Sequence, residues 1–198
     1  VIPQNKRVIL FQEKKLNDTI KVGDADFILD NVFRSLWNTI QKAVVYETAE
    51  GTDLKAGDGV IVHHFISEKE SQLPFKNKKL CWLEYNQIYA RIRNGEMKML
   101  NNFLFVKPIK FDNTRFFNND SGFIMTGKSK DEFVERMGIA HSLSDSCKEA
   151  GLKEGDVILF GKNCEYQIDV DGEKLYRMEL RDVITTVDDD IQITAIKA

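Results

Sequence analysis

Cysteine is scarce in this 198-residue chain, with Cys81, Cys147 and Cys164 the only three. An odd number without paired spacing excludes a disulfide framework and a zinc knuckle, and the three read as reduced and structural. Positive charge is not in excess either: 28 Lys and Arg face 31 Asp and Glu, for a formal net charge of -3 and a pI of about 5.7. That balance gives no electrostatic case for nucleic acid or for an anionic membrane. No apolar run approaches the roughly 20 residues of a membrane span, and near the start only residues 8–11 resemble the core of a signal peptide. The expectation is a soluble, cytoplasmic chain. Catalytic signatures are missing as well. The chain has no G-x-G-x-x-G and no Ser/His/Asp or Cys/His arrangement with a local signature. The adjacent His63 and His64 have no cysteine or carboxylate at ligand spacing, and just past a strand their rings are expected on opposite faces. The acidic run Asp188-Asp189-Asp190 reads as a turn before a tail strand. The expectation is a protein that is not an enzyme and uses no cofactor or metal.

Hydrophobic residues make up 42% of the chain, with a mean hydropathy of -0.33, which is enough for a real core. Their arrangement repeats. Leu54-Lys55-Ala56-Gly57-Asp58-Gly59-Val60-Ile61-Val62 returns as Leu152-Lys153-Glu154-Gly155-Asp156-Val157-Ile158-Leu159-Phe160. Leu80-Cys81-Trp82-Leu83-Glu84 returns as Leu175-Tyr176-Arg177-Met178-Glu179, and residues 5–10 match 101–106. The lags run from 95 to 98 residues in unchanged order, so loop insertions account for the drift. The chain therefore reads as a tandem of two units, 1–95 and 96–198, the second with an extra C-terminal strand.

Within each unit, β-branched and aromatic residues alternate with polar ones in short runs bounded by Gly, Asn and Asp, the pattern of a small all-β domain. Residues 7–11 and 103–106 open the units. Asp171-Gly172 predicts a hairpin turn between 166–170 and 174–178. Asn94-Gly95 predicts another, joining the last strand of the first unit, 88–92, to a strand over 97–106 that opens the second. Two stretches change period. Val32, Phe33, Leu36, Trp37 and Ile40 lie on one helical face, and Phe133, Val134 and Met137 make a shorter echo, with Ser129 and Glu132 as a capping box.

Two apolar triplets stand in polar, turn-rich surroundings. Phe123-Ile124-Met125 lies between Gly122 and Gly127, whose backbone freedom suits loop hinges, and Phe27-Ile28-Leu29 stands 96 positions earlier without flanking glycines. An apolar triplet on a mobile loop is a candidate anchor for a partner's groove. The alternative for the first is a core strand started by Lys21-Val22-Gly23-Asp24, which mimics the Gly-Asp signal of the repeat.

These pieces, in this order, resemble the GroES family of co-chaperonins. The match comprises an opening strand after Pro3, the loop core Ser121-Gly122-Phe123-Ile124-Met125-Thr126-Gly127, the Lys-x-Gly-Asp strand signal in both units, and the closing strand Asp182-Val183-Ile184-Thr185-Thr186-Val187. Residues 46–53 and 141–151 are too short for the family's full roof hairpin, a departure that phage-encoded co-chaperonins share and that implies an open or raised dome. The resemblance implies two tandem GroES-like small β-barrels, each with a long mobile loop carrying a short helix. It further implies a homo-oligomeric ring that caps a GroEL-like chaperonin over an unfolded client protein, in the host cytoplasm if phage-encoded. The chaperonin-binding residues would be Phe27, Ile28, Leu29, Phe123, Ile124 and Met125, with Gly122 and Gly127 as hinges. The rival reading is a structural protein, for example a virion component, that reuses the doubled fold.

Overall fold

The computed structural model describes residues 3–29, 39–74, 79–110 and 133–187. The chain is mostly β, 54% strand, and divides into two compact units, Val1–Asn101 and Asn102–Ala198. Among the described residues there is one short α-helix, Asp145–Glu149, and no helix long and apolar enough to cross a membrane.

In the first unit, β1 (Arg7–Phe11) lies between β4 (Lys42–Thr48) and β6 (Leu80–Glu84), followed outward from β4 by β5 (Gly59–Val62), β7 (Ile88–Arg93) and β8 (Glu96–Met99). All pairings are antiparallel. The alternation in β4 explains its seat: Ala43 and Val45 are buried, while Val44 and Tyr46 face outward. Val8, Leu10, Val45, Val60, Val62, Leu83 and Ile88 meet in one core. A separate two-stranded hairpin, β2 (Thr19–Val22) and β3 (Ala25–Ile28), arises between β1 and β4.

The second unit has the sheet order β12 (Tyr166–Val170), β13 (Glu173–Glu179), β9 (Phe103–Lys110), β10 (Phe133–Leu143), β11 (Val157–Phe160) and β14 (Val183–Val187). Leu104, Val106, Ala140, Ile158, Phe160 and Met178 form its core. Five consecutive strands of it, ending at the edge strand β14, repeat the first unit's: β13-β9-β10-β11-β14 has the order of β6-β1-β4-β5-β7. The correspondence extends to single hydrogen bonds. At the Gly-Asp turns, Gly57 and Gly155 hold φ of 90° and 96°, and Asp58 and Asp156 each accept from the amide three residues back at 2.8 Å. The amides of Val45 and Ala140 donate to the carbonyls of Asp58 and Asp156 at 2.8 and 2.9 Å. Before the closing strands, the amide of Glu84 donates to Gln87 and that of Glu179 to Asp182, each across a short 3-10 turn.

Two expectations are corrected here. Residues 97–106 are not one strand opening the second unit. Glu96–Met99 pairs with β7 through the Asn94-Gly95 turn, where both residues have positive φ, and belongs to the first sheet. Met99 and Leu100 are buried, Leu100 in the first core, and the Asn101 side chain donates to the carbonyls of Tyr85 and Ile88. Burial on the near side, not the turn, decides which sheet owns the strand. Likewise, Phe133, Val134 and Met137 do not share a helix: they lie in the eleven-residue strand β10. Arg136, at φ 60°, marks a break in register between Phe133 and Gly138, after which Met137 and Ala140 are buried and paired backbone replaces the short apolar echo. Ser129, Glu132 and residues 32–37 lie outside the described residues.

Candidate functional site

The excursion between β1 and β4 begins at a clamped base. Gln12, 4% exposed, donates through its side-chain amide to the carbonyls of Ile40 and Lys42, at 2.5 and 3.4 Å. Ile40 in turn donates to the Lys15 carbonyl at 2.9 Å, and Leu16 bridges Thr39, whose hydroxyl meets Ser67 at 2.9 Å. From this base the chain enters the β2-β3 hairpin, turned at Gly23 with φ 61°. Val22 pairs with Ala25 across the turn, so both share a face with Phe27, two positions on, while Ile28 shares the opposite face with Asp26. The Leu29 amide donates to the Asp18 carbonyl at 2.8 Å and extends the ladder by one bond.

The first triplet is thus carried by a hairpin, not by an irregular loop, because Gly23-Asp24 supplies a turn that lets residues 19–28 satisfy one another's backbone. The strand it forms is nevertheless not a core strand. Phe27 is 54% and Ile28 88% exposed, with Leu29 half-buried. Among the described residues four large apolar side chains are more than half exposed, and three of them, Val22, Phe27 and Ile28, stand on this hairpin. That concentration distinguishes the segment from scattered surface apolar residues, which are ordinary. Phe123, Ile124, Met125, Gly122 and Gly127 lie outside the described residues, in the connection between β9 and β10 that corresponds to the one between β1 and β4.

The chain matches no protein-family model and no curated protein sequence.

Val22 and Ala25 extend the apolar face beyond what the sequence pointed to; the signal was their symmetric placement about Gly23-Asp24. The Gln12 clamp left no sequence signal, since its partners are 28 and 30 positions away. At His63 and His64 the rings do not diverge: their centroids are 4.1 Å apart. His63 accepts from the Phe65 amide and caps the 3-10 turn His64–Ser67, so the alternation of a strand no longer applies. Among the described residues no group of three His, Cys, Asp or Glu side chains is placed to hold a metal. The main electrostatic feature is structural. Asp58, 5% exposed, receives both arms of the Arg93 guanidinium at 2.8 and 2.7 Å, which holds its carboxyl below the usual range.

Proposed function

We propose that this protein is a co-chaperonin: a tandem GroES-like chain that caps a GroEL-like chaperonin by inserting apolar triplets, Phe27-Ile28-Leu29 and Phe123-Ile124-Met125, into grooves on the cage rim. The observation that carries the reading is the exposure of Val22, Phe27 and Ile28 on a hairpin anchored at its base between the first two shared strands. The repeated strand order supports it, since in the sequence the second triplet falls between β9 and β10 as the first falls between β1 and β4. One triplet buries too little area to bind well alone, so capping depends on several engaging together from one homo-oligomeric ring, and affinity comes from avidity. The chaperonin hydrolyses ATP and encloses the client; this chain supplies the lid.

The test is retention of a bacterial chaperonin by the immobilised full chain, with and without nucleotide, against the double variant Ile28→Asp/Ile124→Asp. Nucleotide-dependent retention that the double variant loses supports the proposal. Absence of retention, or retention unchanged in a well-folded double variant, refutes it and leaves a structural protein built on the doubled fold.

A further inference from the structure

Each unit carries a cation–ring contact between its opening strand and the strand beside it. In the first, the guanidinium of Arg7 on β1 lies 4.7 Å from the centroid of the Trp82 ring on β6. Arg7 stands opposite Glu84 and Ile9 opposite Trp82, so Arg7 and Trp82 are diagonal neighbours, within reach of a long side chain. The Trp82 indole donates to the Glu70 carbonyl at 3.2 Å, which fixes the plane of the ring. In the second unit the guanidinium of Arg177 on β13 lies 5.6 Å from the centroid of the Phe103 ring on β9. The relation is again diagonal, with Arg177 opposite Phe105 and Phe103 opposite Glu179.

The repeat makes these one contact with its members exchanged. Residues 5–10 match 101–106 and residues 80–84 match 175–179, so Arg7 is the counterpart of Phe103, and Trp82 of Arg177. The cation stands on the opening strand in one unit and on its neighbour in the other. Neither position keeps its residue type, so a local need for an arginine or for a ring does not account for the pair. What both units keep is the attraction between a guanidinium and a ring face. Its place in each sheet shows what it holds. β6 pairs with β1 on one side, and on the other the Gln72–Cys81 bridge and the bond from Leu73 to the Leu80 carbonyl engage only its first two residues. Trp82 lies beyond that grip. In the second unit β13 has a strand on both sides, and Arg177 also lies 4.8 Å from the ring of Tyr166, directly opposite it on β12.

We propose that the Arg7–Trp82 pair is a latch that keeps the far end of β6 shut on β1, so that breaking it lets this strand open locally while the rest of the unit stays folded. The latch is independent of the capping proposal, since neither member belongs to a triplet.

The experiment is native-state hydrogen exchange on the full chain, reading the amides of β6 with those of β7 as the internal reference. Arg7→Gln, at an exposed position, should speed exchange in β6 by about two- to fivefold, the factor that an exposed cation–ring pair is worth, and leave β7 at the wild-type rate. Trp82→Arg should speed it further, because it sets two guanidinium groups diagonally across the strands. Adding Arg7→Phe to Trp82→Arg copies the second unit's pair into the first and should bring the rate back toward wild type. A wild-type rate in Arg7→Gln, equal acceleration in β7, or a double variant that exchanges no more slowly than Trp82→Arg would overturn the proposal. Should Trp82→Arg fail to fold, Arg7→Gln decides alone, on the same two readings of β6 and β7.

Discussion

Ile28→Asp separates anchoring from folding, and the exposure of the side chain sets the size of each effect. Ile28 is 88% exposed, so about one-eighth of its surface is buried in the folded chain. A fully buried aliphatic side chain contributes roughly 1.5–3 kcal/mol, so the substitution costs the fold under about 0.4 kcal/mol. For a unit of this size that is a melting shift within about 3 °C. The new carboxylate shares its face with Asp26, an exposed and well-solvated like-charge neighbour that adds little. In a partner's apolar groove the arithmetic reverses. The remaining seven-eighths of the burial is forfeited, and an unpaired carboxylate is desolvated at several kcal/mol, so each first-unit contact weakens by about a hundredfold or more. Multiplied over a ring, capping falls by orders of magnitude. Thermal unfolding by circular dichroism and a client-refolding assay with chaperonin and ATP read the two effects, with Leu10→Asp, at a fully buried position, as the control that must unfold its unit. A melting loss of about 10 °C in Ile28→Asp would refute the exposed-anchor geometry, and normal refolding by a well-folded variant would refute the role.

Three further outcomes test the fold around the site. Asp58 is held below its ordinary value of 3.8 chiefly by the hydrogen bonds of Arg93, so its stabilisation is complete above pH about 4 and is lost as pH falls through the lowered folded value. Asp58→Asn should therefore lower stability by about 1.5–3 kcal/mol at neutral pH and narrow the gap to wild type in acid, measured by urea unfolding; a gap that widens in acid would reverse the assignment. Gly138→Ala should cost about 1–3 kcal/mol, because a Cβ there meets Val106 Cγ1 and comes within 2.9 Å of the Lys107 carbonyl oxygen, whereas Gly59→Ala, whose nearest contact is 3.4 Å, should not; equal melting temperatures would contradict the packing. Half-exposed Cys164 should react with a disulfide reagent in the native state, and buried Cys81, its thiol pushed up to about 12 by burial, only on unfolding; native labelling of Cys81 at the rate of Cys164 would show that β6 opens.

The doubled architecture was legible because its signals are local. A Gly-Asp turn writes its geometry into adjacent residues, and the matching lags put Gly57 and Gly155, and Glu84 and Glu179, in equivalent places that the strand order repeats. Period two likewise marked β12. Distant pairing was not legible. Nothing within residues 133–137 says that Lys110 will lie opposite Phe133, and nothing within 96–99 says that Met99 will be covered by the first core. The triplet was visible as an apolar island, but its hairpin depends on Gly23-Asp24, which imitates the turn before a buried strand while preceding an exposed one. The local motif is similar in both places; what differs is whether a sheet waits on the other side.

The two sheets share a five-strand order but finish their borders differently, and this decides where unpaired backbone is offered to a neighbour. In the first unit β8 covers β7, and at the other border Gln72 bridges Cys81 while Leu73 donates to the Leu80 carbonyl. In the second unit β12 covers β13, but β14, the counterpart of β7, has no outer neighbour among the described residues and leaves Ile184 58% exposed. A continuous hydrogen-bonded sheet running from copy to copy needs a donor border and a receiving border on every molecule. Among the described residues β8, β12 and β14 are all outermost strands with no further strand beside them, so more than one border offers unpaired backbone.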